Sequence, residues 1–278
     1  SAAVPTMWAC AIMGKKYIIR TGGDFLWETY TERTGELVLF KDFYNTCMNK
    51  LSKKEKVIYR LGGQALRKAS LVIYSTEWQR NIFENVYRLD RRKSKIVENF
   101  CGLREEQIEP ENRVFVAGTR ELVWKNIIVL KKAFKIAQDE LKDRSKYLAG
   151  ETLPDFSNIE FDTTKAVYDS FQERMRRSYA VILTSLGDIS PNMIFDAIRV
   201  GVPFILTKEN GIIERVKDCA IFIDPMNERD ITDKIIWMAD PRNRALQAEK
   251  VKKFRWIHTW EDISGEILSL YNDYVRKL

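Results

Sequence analysis

LGDISPNMIFDAIRVG, residues 186–201, is the stretch whose reading decides the fold. It sets Asp188 and Asp196 on either side of a Ser190-Pro191-Asn192 helix start. An unbroken apolar run, residues 179–183 (YAVIL), precedes it; Gly201-Val202-Pro203 and a second apolar run, 204–206, follow. Short apolar runs bounded by turn residues read as strands buried on both faces, so the unit is strand, loop, helix, strand. The start of such a helix leaves backbone N–H groups pointing out of the sheet, with the positive end of the helix dipole behind them, a setting that suits an anion. Pro191 has no N–H to lose and suits a first helical position. Carboxylates flanking an anion site accept hydrogen bonds from hydroxyls. The pattern predicts a ligand with phosphate at its centre and sugars on both sides.

The same alternation extends outward. Residues 113–117 (RVFVA) read as a strand running into Gly118-Thr119-Arg120, with a helix over 126–140. Further strands are expected near Tyr147 and at 159–161, 180–183, 203–206 and 220–223. Helices are expected at 164–177, 193–200 and 212–217, then at 228–238, 243–254 and 260–277. Alternating strands and helices predict an α/β protein with a parallel sheet covered on both faces. Toward the N-terminus, residues 17–20 (YIIR) read as a strand ending in Thr21-Gly22-Gly23-Asp24, and residues 71–74 and 96–98 as two more. Residues 2–13 read as a packed helix, and residues 41–68 as a basic amphipathic helical segment. The polar run 103–112 (LREEQIEPEN) is the expected boundary between a unit of residues 1–102 and one of 103–278, with the last helix packing back toward the first. Ligands of such sheets bind where strand ends lead into helices. Arg120 and Lys125, Asp188 and Asp196, and Thr207 and Gly211 fall at those places.

Composition narrows the chemistry. With 278 residues, 45% of them hydrophobic, the chain has the length for two ordinary units. Its single histidine, His258, and four scattered cysteines offer no metal-ligand or disulfide spacing, which favours a reducing cytoplasm. No apolar run reaches the roughly 20 residues that span a bilayer. The net charge of +7 is concentrated in residues 1–102, where 18 basic residues meet 10 acidic ones. A basic surface attracts anionic membranes, nucleic acid or acidic substrates. Residues 41–68 are the candidate for peripheral contact with an anionic membrane at the inner face of the cell. No motif supports nucleic-acid binding.

Four segments resemble family 4 of the retaining, nucleotide-sugar-dependent glycosyltransferases, which have the two-domain GT-B fold. Gly118-Thr119-Arg120 with Lys125 resembles that family's Gly-Arg-x4-Lys signature. Asp188-x7-Asp196 with Gly201-Val202-Pro203 resembles its Glu-x7-Glu signature with both acids shortened. Residues 211–216 resemble the loop and helix that follow. Residues 72–75 and 95–99 resemble the end of the first domain, and Thr259-Trp260 with the last helix fits the end of the chain. The resemblance implies two Rossmann-like parallel-sheet domains. The first, an acceptor-side domain, would lack about a hundred or fewer residues at its front. Many members place a histidine near the donor sugar in that domain; none lies there in this chain, and Asp24 holds a comparable strand end.

The resemblance also implies roles. Arg120 and Lys125 clamp the diphosphate of a UDP- or GDP-sugar, offsetting the charge that develops on the leaving group with no metal and no cofactor. Asp188 accepts from hydroxyls of the donor hexose and Asp196 from the ribose. Gly118 and Ser190 belong to the donor site, the backbone N–H groups of Asn192 and Met193 face phosphate or sugar oxygens, Thr207 and Gly211 line the sugar pocket, and Asp24 stands on the acceptor side. Aspartate reaches about 1.5 Å less than glutamate, so the pocket must be tighter or bridged by water. Trp27, Glu28 and His258 read as structural. The implied reaction is retaining transfer of a hexose to a hydroxyl of a glycan or lipid-linked acceptor, in glycan or cell-surface polysaccharide synthesis. The residues leave two alternatives open: a non-catalytic nucleotide-sugar-binding protein or inactive fragment, and a GT-B-fold nucleotide-sugar epimerase, whose acid/base chemistry usually draws on a histidine.

Overall fold

The structure, a computed structural model, describes residues 2–106, 108–118, 120–147 and 158–276. Two parallel sheets organise it. The first holds β1 (Ile18–Arg20), β2 (Leu71–Tyr74) and β3 (Ser94–Ile96) in that order. The second holds β4 (Val114–Ala117), β5 (Glu160–Asp162), β6 (Ala180–Leu183), β7 (Phe204–Thr207) and β8 (Ile221–Ile223), ordered β5-β4-β6-β7-β8. Every pairing is parallel.

The apolar runs alternate between two cores, as strands buried on both faces must. In the second sheet Phe115, Ala180, Ile182 and Ile205 face α6 (Ile127–Tyr147) and α10 (Glu228–Ala239). Val181, Leu183, Phe204 and Leu206 face the opposite way, onto α7 (Tyr168–Arg176), α8 (Asn192–Arg199), α9 (Ile213–Val216) and α11 (Pro241–Lys252). In the first sheet Val72 and Tyr74 pack against α4 (Lys53–Lys68) and α5 (Glu77–Tyr87), while Leu71 and Ile73 pack against α12 (Trp260–Tyr271). The chain crosses between the sheets twice. The crossings meet where Cys101 and His258 exchange two backbone hydrogen bonds of 2.9 Å. His258 is pinned there, its ring nitrogens 3.2 Å from the Asn99 carbonyl and 3.3 Å from Glu266.

Several expected elements shift. Residues 41–68 do not form one helix. Ser52 caps a fresh start with a capping box to Glu55, so α3 (Phe40–Thr46) and α4 are separate. Tyr147 ends α6, a helix of 21 residues that continues past Glu140, and forms no strand. Strand β3 begins two residues before the expected one. Pro191 is the N-cap of α8, not its first residue. The helix predicted over 2–13 forms as α1 (Ala3–Ile12), but it buries only Met7 and leaves Trp8, Ile12 and Met13 exposed. The last helix gives way to a wider π turn at Asn272, and Lys277, its expected end, lies outside the described residues. The described residues of 103–112 lack regular structure but are pinned: Glu105 pairs with Arg176 and Arg199, and Arg104 donates to the carbonyls that end α11.

Two close approaches join the units. Leu186 and Ile189 enter an apolar cluster with Trp27, Tyr30, Phe40 and Phe43, which come from α2 (Phe25–Thr34) and α3. A Cβ on Gly187 would collide with Phe40 and the Trp27 ring; one on Gly211 would collide with the Ile189 carbonyl and with Thr76. Glycine is required at both because backbone meets side chain with no space between.

Candidate active site

The order β5-β4-β6-β7-β8 reverses direction between β4 and β6, since the chain leaves β4 toward β5 on one side and returns to β6 on the other. Loops after neighbouring strands diverge at such a point and leave a crevice at the carboxyl ends. The turns after β4, β6 and β7 meet there. Leu186 N–H donates to the Trp124 carbonyl at 2.8 Å, and the Thr184 hydroxyl to the Lys125 carbonyl at 3.3 Å. Asn126 turns the chain at φ 59° and ties its side chain to the Pro225 carbonyl at 2.7 Å. The backbone beneath Lys125 is thereby held from three sides.

Lys125 Nζ lies 2.7 Å from Asp188 Oδ2 and 4.3 Å from the centroid of the Trp124 ring. Ser185 Oγ adds a longer contact of 3.4 Å to the same carboxylate oxygen. The Asp188 backbone is clamped to the third turn, donating to the Glu209 carbonyl at 2.8 Å and accepting from Gly211 N–H at 3.0 Å. That turn is built by its own side chains: Thr207 Oγ1 receives the Glu209 N–H, Asn210 Nδ2 donates to the Thr207 carbonyl, and Asn210 Oδ1 receives the Ile212 N–H. Thr207 is fully buried and its side chain shapes the turn. Lys41 of the first unit reaches across to Glu209 at 2.6 Å.

Asp196 stands in a separate group. It is buried on α8 beneath the Tyr168 hydroxyl, 3.4 Å away, with the Arg199 guanidinium at 3.6 Å. Burial raises its pKa, against the lowering effect of hydrogen bonds from Gln172 and Tyr168. Asn192 and Ser190, at the start of α8, are held from the first unit: Asn99 Nδ2 donates to Asn192 Oδ1 at 2.9 Å and lies 3.4 Å from the Ser190 carbonyl. Met193 packs partly into the apolar core, leaving its backbone as the part that could meet a ligand. No side chain caps α8. Gly118 follows β4 with open space where a side chain would be, and Thr119 lies outside the described residues.

Arg120 is exposed and faces a cavity of about 820 Å³ that reaches from Trp124 to the underside of α4. Its far wall is apolar, with Val57, Leu61, Leu66 and Phe83; its near wall carries Gly22, Gly23, Asp24 and Glu28. Asp24 is buried and fully engaged. Oδ1 caps α2 through the Trp27 N–H at 2.9 Å, and Oδ2 takes the Tyr44 hydroxyl at 2.5 Å. Desolvation raises its pKa despite those bonds. Glu28, which reads as structural in the sequence, is the freer acid. Burial and the nearby Asp24 charge push it up to about 7, with Lys125 and Arg120 acting in the opposite direction. Only a helical offset of four from the Asp24 cap, behind a Gly-Gly turn, hinted at its position. Among the described residues no three His, Cys, Asp or Glu side chains gather to hold a metal ion.

Two parallel sheets with a crevice at the switch point define the fold class as GT-B, two Rossmann-like units with the carboxyl-end loops of the second packed against the first. The solved structures it resembles agree. HepE from Anabaena in complex with UDP-glucose superposes with a TM-score of 0.65 at 18% identity, over 98% of this chain and 76% of that one. Sucrose-phosphate synthase from Thermosynechococcus elongatus gives 0.62 at 14% identity, over 97% and 76%. WaaG, a glycosyltransferase involved in lipopolysaccharide biosynthesis, gives 0.57 at 14% identity, over 86% and 71%. By sequence, no protein-family profile and no curated protein matches the chain.

Proposed function

We propose that this protein is a glycosyltransferase that moves a hexose from a UDP- or GDP-sugar to an acceptor hydroxyl with retention of anomeric configuration. The observation that carries the reading is the Lys125–Asp188 pair, 2.7 Å apart at the switch point of the second sheet. A cation and an acid fixed side by side match the two halves of such a donor, a diphosphate and a sugar bearing hydroxyls. HepE, similar in fold, is solved with UDP-glucose.

In this reading Lys125 and Arg120 hold the diphosphate. Asp188 turns from Lys125 to the hexose hydroxyls as the phosphate takes over the ammonium. The uncapped start of α8 adds the N–H groups of Asn192 and Met193. Asp196, with Tyr168, takes the ribose. Two cations and a helix start supply the charge stabilisation a metal would otherwise give, and positioning supplies much of the remaining acceleration. The acceptor enters through the cavity between Arg120 and α4, whose apolar far wall suits a lipid-linked or otherwise partly apolar molecule. The exposed cations of α4 would hold that end of the protein at an anionic membrane surface.

Calorimetric titration with UDP-, GDP- and ADP-sugars tests the reading. One nucleotide class binds, and Asp196→Ala weakens it by about 1–3 kcal/mol, the cost of a lost hydrogen-bond partner. Binding of none of the three refutes the reading. Binding without nucleotide release, in the presence of acceptors or water, favours a non-catalytic binding protein.

A further inference from the structure

One carboxyl of the cavity has no part in the roles above. Glu28 leaves the first turns of α2 and folds back over Gly23, where a Cβ would lie 2.7 Å from its Oε1. It accepts from the Asp24 backbone N–H, and the charged groups that face it are Asp24 from its own helix start and Lys125 and Arg120 from the second unit. Lys125 is already bound to Asp188 at 2.7 Å, and no cation among the described residues stands in salt-bridge contact with Glu28. Helix α2 does not need Glu28 as its cap, since Asp24 fills that position. A carboxyl is therefore held in a cavity wall, beside the two cations assigned to the diphosphate, with capacity left to bind a hydroxyl.

Resting on the transfer reading above, we infer that Glu28 is the catalytic base of the acceptor side, receiving the hydroxyl of the incoming acceptor and taking its proton. In that step the acceptor oxygen approaches on the face from which the diphosphate departs, as retention requires, and its bond to the anomeric carbon forms. The bond from that carbon to the diphosphate oxygen breaks, and its electron pair leaves with the nucleotide. The proton passes from the acceptor oxygen to a Glu28 carboxylate oxygen and then to solvent. A base is most effective when its pKa lies near the working pH, and burial together with Asp24 brings this carboxyl to about 7.

The test measures release of nucleotide from the sugar nucleotide that binds best, with water as the acceptor, from about pH 5.5 to about pH 8.5, on wild type, Glu28→Gln and Glu28→Asp. The wild-type rate should rise to a plateau with its midpoint near the Glu28 value of about 7. Glu28→Gln should lower kcat by about 100-fold or more and flatten the profile, with donor affinity unchanged. Glu28→Asp should keep the pH dependence at a reduced rate. Turnover by Glu28→Gln within about fivefold of wild type, or a flat wild-type profile, overturns the role while leaving the transfer reading intact. If Glu28→Gln does not fold, the wild-type and Glu28→Asp profiles decide. Donor binding with no wild-type turnover also overturns the role, and binding of no sugar nucleotide removes both the role and the reading beneath it.

Discussion

Replacing Lys125 with alanine separates a designed site from a chance ion pair. At 2.7 Å the Coulomb attraction is about 6 kcal/mol at an effective dielectric constant of about 20. Most of that offsets the cost of taking both charges out of water. Removing one partner of a fully buried pair costs about 3–5 kcal/mol. Here the side chains are 19% and 13% exposed, so water reaches the Asp188 left behind, and the loss should be about 2 kcal/mol. Urea denaturation reads it directly. UDP binding reads the second consequence: one charge-assisted contact to the diphosphate is lost, about 1.5–3 kcal/mol, or roughly 10- to 150-fold in Kd. Asp188→Asn should behave differently. It frees Lys125 for phosphate, so UDP binds as well as before or better, while the advantage of UDP-sugar over UDP shrinks. A Lys125→Ala protein that keeps UDP affinity within about twofold would refute the clamp, whatever its effect on stability.

Glu28→Gln should also stabilise the fold above neutrality. A carboxyl raised from 4.5 to about 7 is protonated longer in the folded state than in the unfolded one. Stability is therefore full below about pH 4.5 and is lost as pH rises to about 7. Allowing for partial solvation, the substitution should gain about 1–2 kcal/mol at high pH and nothing at low pH, measured by urea denaturation at both ends. Gly187→Ala should cost about 1–3 kcal/mol through overpacking against Phe40 and Trp27, and it should lower donor turnover as the 186–189 loop is displaced. Lys53, Lys54, Lys56 and Arg60 are exposed on α4. Reversing the three lysines to glutamate should abolish co-sedimentation with vesicles containing phosphatidylglycerol, at about 1 kcal/mol per charge; binding that persists, or that is equal on neutral vesicles, would dismiss membrane contact by this helix.

The second sheet was legible because its central strands β6 and β7 are buried on both faces. Residues 180–183 and 204–206 carry no polar side chain, and a run of that kind between turn residues has few other readings. What the sequence concealed were interruptions set by hydrogen bonds. The Ser52–Glu55 capping box divides a segment whose apolar spacing looks continuous. The candidate site divides along similar lines. The meeting of Lys125 and Asp188 was legible because each follows a buried strand, and the fold brings strand ends together. Asp24 was read as the acceptor-side acid and Glu28 as structural, although both follow β1 and the structure leaves Glu28 the freer of the two. Which one caps the helix and which one faces the cavity depends on Tyr44, twenty residues away, reaching back to Asp24 at 2.5 Å. A pairing of that range leaves no local pattern.

The second sheet alone would leave the loops at its carboxyl edge unsupported, because the turn after β6 buries Leu186 and Ile189 against side chains of α2 and α3, not against its own sheet. Each such side chain contributes about 1.5–3 kcal/mol when fully buried. Val123 N–H donates to Glu32 at 2.7 Å, Lys41 holds Glu209, and Arg215 pairs with Glu98 at 2.6 Å. The turns after β4 and β7 are therefore tied to the first unit as well, directly and through polar contacts that exchange with water more readily than the apolar cluster does. Relative motion of the two sheets should then pivot on the Trp27–Phe40–Leu186 cluster and open at the polar contacts. Lys125 and Asp188, which flank that pivot, would keep their geometry while Arg120 and Glu28 separate. On the transfer reading proposed above, Lys125 and Asp188 would keep hold of the donor while the cavity beside Glu28 widens to admit the acceptor.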